Sequence, residues 1–145
     1  MDVRIKRVYA APAASDGLRV LVDRLWPRGL TRERAAIDLQ CAAVAPSTAL
    51  RRSWHADPLA HSPARFAAFA ADYRAELAIG VASQALDGLI ALAREHDRVS
   101  LVYGAKDERV NHAVVLLQAL TERAALDPGA ATSTSSDTST STSTT

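Results

Sequence analysis

The sequence predicts a single α/β domain: a small, mainly parallel sheet of about three strands with helices packed on it. Three observations carry that expectation. Apolar and β-branched runs at 3–9, 18–25 and 99–104 have strand character. Serine-capped segments with apolar residues at helical spacing fill the interval between the second and third runs. A strand–helix–strand connection of that length makes those two strands parallel, with helices lying on the sheet.

In the first strand, Val3, Ile5 and Tyr9 alternate with polar or basic residues, as a half-buried strand requires. Residues 10–17 form a loop, and Leu18 to Leu25 reads as a buried strand broken by Trp26-Pro27-Arg28-Gly29. Thr31 is placed to cap a short helix over 31–36. Ser47 caps a helix that runs to about His55, and Pro58 ends any continuation. Ser62-Pro63 starts a longer helix, whose stripe is Phe66, Phe69, Ala70, Tyr73 and Leu77, and Gly80 closes it. Ser83 opens the next helix, with Leu86, Leu89, Ile90 and Ala93 inward. After the strand Val99–Tyr103, Asp107 is the expected N-cap of a last helix burying Val110, Ala113, Val114, Leu117 and Leu120. The eight-residue connection between the first two strands is short for a parallel crossover, so spacing alone makes that pair antiparallel.

Residues Thr132–Thr145 contain only Ser, Thr and Asp137, and Asp127-Pro128-Gly129 precedes them as a stop signal. A segment with no apolar side chain to bury cannot offset the entropy of ordering. The expected division is therefore a domain over 1–126 and a disordered tail over 127–145.

Hydrophobic residues are 48% of the 145, but 30 of them are alanines, so the core rests on fewer large side chains than the percentage suggests. The net charge of +1 argues against generic charge-driven binding to nucleic acid or membrane. Its distribution is uneven: residues 1–60 carry 10 Lys and Arg against 6 Asp and Glu, a surplus of four positive charges. The lone Cys41 excludes an intramolecular disulfide framework and a cysteine zinc site, and among Ala42, Ala43 and Val44 it reads as a small buried hydrophobe. No charge-free apolar window reaches about 18 residues, and no apolar stretch follows the basic N-terminus. A soluble cytoplasmic protein without membrane contact is the expectation. Neither a cofactor nor an oligomeric state is specified.

Ligands of open α/β sheets bind outside the carboxyl ends of parallel strands. Two polar segments leave strands in that sense: Asp23-Arg24-Leu25-Trp26-Pro27-Arg28-Gly29, and Tyr103-Gly104-Ala105-Lys106-Asp107 running into Asn111-His112. If these strands are adjacent, Asp23, Arg24, Arg28, Tyr103, Lys106 and Asp107 converge on one rim. Two arginines, a lysine and a helix start suit an anion such as a phosphate or carboxylate. The plainer alternative is that Asp23 pairs with Arg24 or Lys106 and Asp107 only caps. Arg28 stands out because Pro27 and Gly29 hold it in a rigid turn. Its alternative role is an ion pair to Asp107 or Glu76. Glu76 itself also reads as a general base, while Tyr73 reads as packing. His55 and Asp57, in Trp54-His55-Ala56-Asp57-Pro58, suit proton transfer or a simple turn. A metal set of His55, Asp57, His61 and His112 matches no standard spacing, so no metal site is assigned.

Together, L-V-D-R-L-W-P-R-G (Leu21–Gly29), A-P-S-T-x-L-R (Ala45–Arg51), F-x-x-x-Y-x-x-E-L (Phe69–Leu77) and Y-G-A-K-D-x-x-x-N-H-A-V-V (Tyr103–Val115) resemble the bacterial domain-of-unknown-function family 488, in its YeaO-like branch. The resemblance covers about residues 3–124 and includes I-K-R-V-Y at Ile5–Tyr9. It implies a small cytoplasmic α/β domain without an established activity. Asp23, Arg24, Trp26, Pro27, Arg28, Gly29, Tyr73, Glu76, Tyr103, Lys106, Asp107, Asn111 and His112 match its pattern. His55 does not, because Ala56 separates it from the Asp57-Pro58 that the pattern puts directly after His. The resemblance also implies parallel first and second strands, against the reading from loop length.

Two function classes follow. In the first, the domain receives or transforms a small anionic, phosphate- or nucleotide-like molecule. Asp23, Arg24, Trp26, Arg28, Lys106, Asn111 and Glu76 then bind it, and Tyr103, Asp107 and His112 orient it or transfer protons. In the second, the basic N-terminal half contacts nucleic acid through Trp26, Trp54, Arg51 and Arg52. The near-neutral total charge of +1 favours the first. A plain interaction protein without a pocket is the third possibility.

Overall fold

The computed structural model of the chain describes residues 1–126, so the expected tail over 127–145 lies outside the described residues. The described elements are β1 (Val3–Arg7), β2 (Leu18–Leu21), α1 (Arg32–Ala35), β3 (Leu39–Gln40), α2 (Thr48–Ala56), α3 (Pro63–Leu77), α4 (Gly80–Glu95), β4 (Val99–Tyr103) and α5 (His112–Leu126). The four strands form one sheet in the order β1-β4-β2-β3, and every pairing is parallel.

The sheet order corrects the antiparallel expectation for the first two strands. They are parallel and not neighbours, because β4 lies between them. In register, Val3 to Arg7 face Val99 to Tyr103, and Leu18 to Leu21 face Val99 to Val102. The length rule fails because the strands are so short. A five-residue strand rises only about 17 Å. The ten residues 8–17 can reach about 33 Å, enough to return the chain to the starting edge. β2 and β4 are adjacent and parallel as expected, so their carboxyl ends leave the sheet side by side.

Alternation along the strands gives each face its own chemistry. Val20, Val22, Val99, Leu101 and Tyr103 join the main core. That core is completed by Phe69, Tyr73 and Leu77 of α3, Leu86, Leu89, Ile90 and Ala93 of α4, and Ala113, Leu116 and Leu120 of α5. On the opposite face, Val8, Ala35 and Val102 form a smaller cluster with Trp26, Leu30 and Ile37. No single helix among the described residues is long and apolar enough to cross a membrane.

Local signals set most boundaries. The Thr31, Ser47 and Ser62 side chains accept from the Arg34, Leu50 and Arg65 amides, as N-caps do. α4 starts at Gly80, before the expected Ser83. The last helix departs further. Asp107 does not cap it; Asn111 Oδ1 accepts from the Val114 amide at 3.0 Å, and the helix begins at His112. This start rotates the buried face onto Ala113, Val115, Leu116, Leu120 and Ala124, leaving Val110, Val114 and Leu117 half-buried.

Charges are buried beneath the smaller cluster's face. Asp16 accepts from Lys6 Nζ at 2.9 Å and from Arg19 at 2.6 Å, and from the Ala13 amide at 2.9 Å. Arg19 also donates to the Ala35 and Ala36 carbonyls. Burial pushes the Asp16 carboxyl up, but the hydrogen bonds from Lys6, Ala13 and Arg19 outweigh it and hold the group below its usual range. A depressed carboxylate pKa contributes stability that is complete above the unfolded value, about pH 4, and is lost as pH falls through the folded one. Asp16→Ala leaves two cations without their partner, so urea unfolding should show a loss of about 3–5 kcal/mol near neutral pH. That loss should shrink as the wild type is acidified; a loss independent of pH would contradict the ionic account.

Candidate functional site

The carboxyl ends of β2 and β4 open into a cavity of about 500 Å³. Its walls come from the segment after β2, from Ala45-Pro46 and one face of α2, from Ala60-His61, and from Gly104 to His112.

Asp23 joins the two strand ends. Its Oδ2 accepts from the Gly104 amide at 2.9 Å. A Cβ at position 104 would stand 3.0 Å from that oxygen, so any other residue would force the carboxylate to shift by a few tenths of an ångström. His112, the first residue of α5, brings Nε2 within 3.0 Å of the Val22 carbonyl and 3.2 Å of Asp23 Oδ1. A carbonyl only accepts, so Nε2 carries the proton and donates to Val22. Asp23 Oδ1 stays buried without a hydrogen bond.

Next along the chain, Arg24 donates to the Pro46 and Ala45 carbonyls at 3.3 and 3.2 Å, which leaves further N–H groups unused. Lys106 lines the opposite wall and has neither hydrogen bond nor ion pair among the described residues. Asp107 Oδ1 accepts from the Val110 and Arg109 amides at 2.9 and 2.8 Å, and these bonds hold its carboxyl below the usual range. Asn111 is fully buried and spends its amide on the Asp107 carbonyl and the Val114 N–H.

Six of the ten residues expected at the site therefore line one cavity: Asp23, Arg24, Lys106, Asp107, Asn111 and His112. The other four stand elsewhere. Tyr103 is buried in the main core, and burial pushes its phenol up, so it keeps its proton. Trp26 packs in the smaller cluster with its indole N–H on the Leu30 carbonyl at 2.8 Å. Glu76 accepts from the Ser47 amide and hydroxyl at 2.8 and 2.6 Å, and so fixes the start of α2. Arg28 is exposed in a turn where Gly29 takes φ 75°, and it pairs with neither Asp107 nor Glu76.

The remaining wall comes from α2. Arg51, Trp54 and His55 line the cavity, with His61 and Asp57 from the loop that follows. Trp54 stacks on Phe69 with ring centroids 4.1 Å apart and donates its indole N–H to the Ala60 carbonyl. Arg51 Nε is buried with no hydrogen-bond partner. Partial burial, then the Arg51 charge, hold the His55 imidazole below its usual value. The Leu59 amide and Arg65 hold the Asp57 carboxyl low. A signal for this wall was present in the sequence: positions 51, 54 and 55 fall on one side of a helix. Among the described residues, no group of three His, Cys, Asp or Glu is placed to hold a metal ion.

The chain has relatives over most of its length. The chain is 39% identical to the uncharacterised protein YeaO of Escherichia coli strain K12 over 116 residues, covering 80% of this chain and 94% of that protein. It is 37% identical over 121 residues to an uncharacterised protein of Mycobacterium tuberculosis strain H37Rv, covering 83% of this chain and 95% of the relative. No solved structure gives a significant match. A family profile described as the inactive DUF488-N3 subclade matches residues 2–140, and with the YeaO likeness it establishes that this chain belongs to the DUF488 family, in its YeaO-like branch.

Proposed function

We propose that the domain is a cytoplasmic, non-catalytic receptor for a small anionic molecule, phosphate- or nucleotide-like, held in the cavity at the strand ends. The observation that carries this reading is the surplus of donors. Arg51, Arg24 and Lys106 line the cavity without a carboxylate partner, and the Arg51 Nε is buried with nothing to bond. The carboxylates beside them are turned to the fold: Asp23 Oδ2 accepts from Gly104 while its Oδ1 lies buried beside His112, Asp57 is held by Leu59 and Arg65, and Asp107 by two amides. A buried guanidinium N–H without an acceptor is costly, and an anion removes that cost.

Binding without catalysis fits the same accounting. Asp107 is held as a carboxylate by amides, Tyr103 keeps its proton inside the core, and Glu76 is tied to Ser47. None of the three is free to exchange a proton with a ligand, and His112 spends Nε2 on the Val22 carbonyl, which leaves His55 to take up the proton that binding brings. The description of the matching family profile as inactive supports the same view. The broader nucleic-acid alternative, resting on Trp26 and Trp54, draws no support from their placement, because both indoles are packed and hydrogen-bonded within the domain.

Sulfate and inorganic phosphate should each raise the melting temperature of the wild type. Arg51→Ala should weaken that binding about tenfold or more, since a charge-assisted hydrogen bond contributes about 1.5–3 kcal/mol. Arg52→Ala, altering the exposed neighbour, should not. Equal stabilisation of wild type and Arg51→Ala by both anions would refute the assignment.

The cavity also predicts a pH dependence. His55 is held below its usual pKa by burial and Arg51, so it is neutral near pH 7. An anion favours its charged form and raises its pKa, so binding takes up a proton. Sulfate, which does not titrate in this range, should bind several-fold more tightly at pH 5.5 than at pH 7.5, and His55→Gln should flatten the profile. A sulfate affinity that does not change with pH would show that His55 does not face the anion.

A further inference from the structure

Outside the cavity, the same sheet edge carries a second cationic surface. Arg7, the last residue of β1, donates from Nε to the Ala105 carbonyl at 2.9 Å, next to cavity-lining Lys106. Its guanidinium carbon lies 4.8 Å from the centroid of the Tyr9 ring, and Tyr9 is 42% exposed. The Tyr9 hydroxyl donates to the Arg28 carbonyl at 2.9 Å. The exposed Arg28 guanidinium has no ion pair or hydrogen bond among the described residues. These contacts link the backbone beside Lys106, through Arg7 and Tyr9, to the backbone of Arg28. Of the nearby acidic groups, Asp107 is engaged by amides, and Glu108 is the exposed one beside Lys106.

We propose that this rim is the landing surface of a single-stranded nucleic acid whose terminal nucleotide occupies the cavity, an inference that rests on the anion-binding reading of the cavity. The rim supplies what a strand needs and a small anion does not. Lys106 and Arg28 are unpaired cations at the two ends of this run of contacts, fit to contact phosphates of one strand. Between them, the exposed Tyr9 ring, backed by Arg7, offers a flat face on which a base of any kind can stack. The rigid turn around Arg28 fixes one end of the track. A cavity of about 500 Å³ has room for a nucleotide, and the next residues of the strand would lie on the rim. A nucleoside diphosphate would reach Lys106 but would leave Tyr9 and Arg28 unused.

The test compares 5′-phosphorylated hexathymidylate, thymidine monophosphate and thymidine diphosphate by calorimetry or by competition against a labelled hexamer. The hexamer should bind at least about tenfold more tightly than the monophosphate, the gain expected of one stacked base and one added phosphate contact. Arg28→Ala, which removes no hydrogen bond or ion pair among the described residues, should cancel most of that gain while leaving the monophosphate affinity within about twofold. Tyr9→Leu should also reduce hexamer binding, and Tyr9→Phe, which keeps the ring, should restore it. Hexamer binding no tighter than the monophosphate, or unchanged in Arg28→Ala, overturns the rim proposal and leaves the cavity reading standing. Diphosphate binding as tight as the hexamer overturns it in favour of a polyphosphate ligand. Failure of all three ligands to bind overturns the cavity reading as well.

Discussion

The hydrogen bond from the Gly104 amide to the Asp23 carboxylate is the constraint on which the site depends. It closes the gap between two parallel strands at the point where both chains leave the sheet. Backbone pairing ends there, since the last ladder contact is from the Val22 amide to the Val102 carbonyl. The Asp23 side chain continues the link between the segments carrying Arg24 and Lys106 where backbone pairing stops. The other Asp23 oxygen lies 3.2 Å from the His112 ring, whose Nε2 ties the first residue of α5 to the Val22 carbonyl just past the end of β2. The packing of Asp23 against Gly104 is close enough that a methyl group there would push the carboxylate aside by a few tenths of an ångström. A residue easily read as a ligand contact thus works first as a fastener.

The pattern recurs around the cavity. Acidic and amide side chains that look catalytic in sequence are committed to holding backbone. Asp107 secures a turn, Asn111 caps α5 and Glu76 secures the start of α2. Cationic side chains are left over. Arg51 reaches the cavity from the helix that Glu76 positions, and its buried Nε lacks an acceptor. Carboxylates build the frame and cations face the space it encloses, which is the chemistry of a receptor for negative charge.

Local features were legible in the sequence, and non-local ones less so. The three helix caps at Thr31, Ser47 and Ser62 depend on residues within one turn, and they stand where the pattern puts them. The parallel pairing of β2 with β4 followed from the helical span between them. The direction of β1 did not follow, because it is set by β4, which arrives some ninety residues later and inserts between β1 and β2. The two-residue, exposed β3 has too little apolar content to announce itself. The start of α5 moved from Asp107 to Asn111 because two side chains competed for the cap, and Asp107 is spent on the turn before it. The buried Lys6–Asp16–Arg19 group lies on the sheet face opposite the helices, and nothing in its spacing marked it. At the site, the two strand-end segments were legible but the α2 wall was underweighted, since the Trp54–His55–Asp57 stretch also suits an ordinary turn.

A crystal structure with the cavity saturated by phosphate tests the central claim most directly. The account predicts ordered phosphate within hydrogen-bond distance of the Arg51 and Arg24 guanidinium groups, with the Asp23–Gly104 bond intact and the Asp107 and Glu76 carboxylates still on their own amides. An empty cavity at saturating phosphate, or an Arg51 side chain paired with a carboxylate of its own chain, would contradict it.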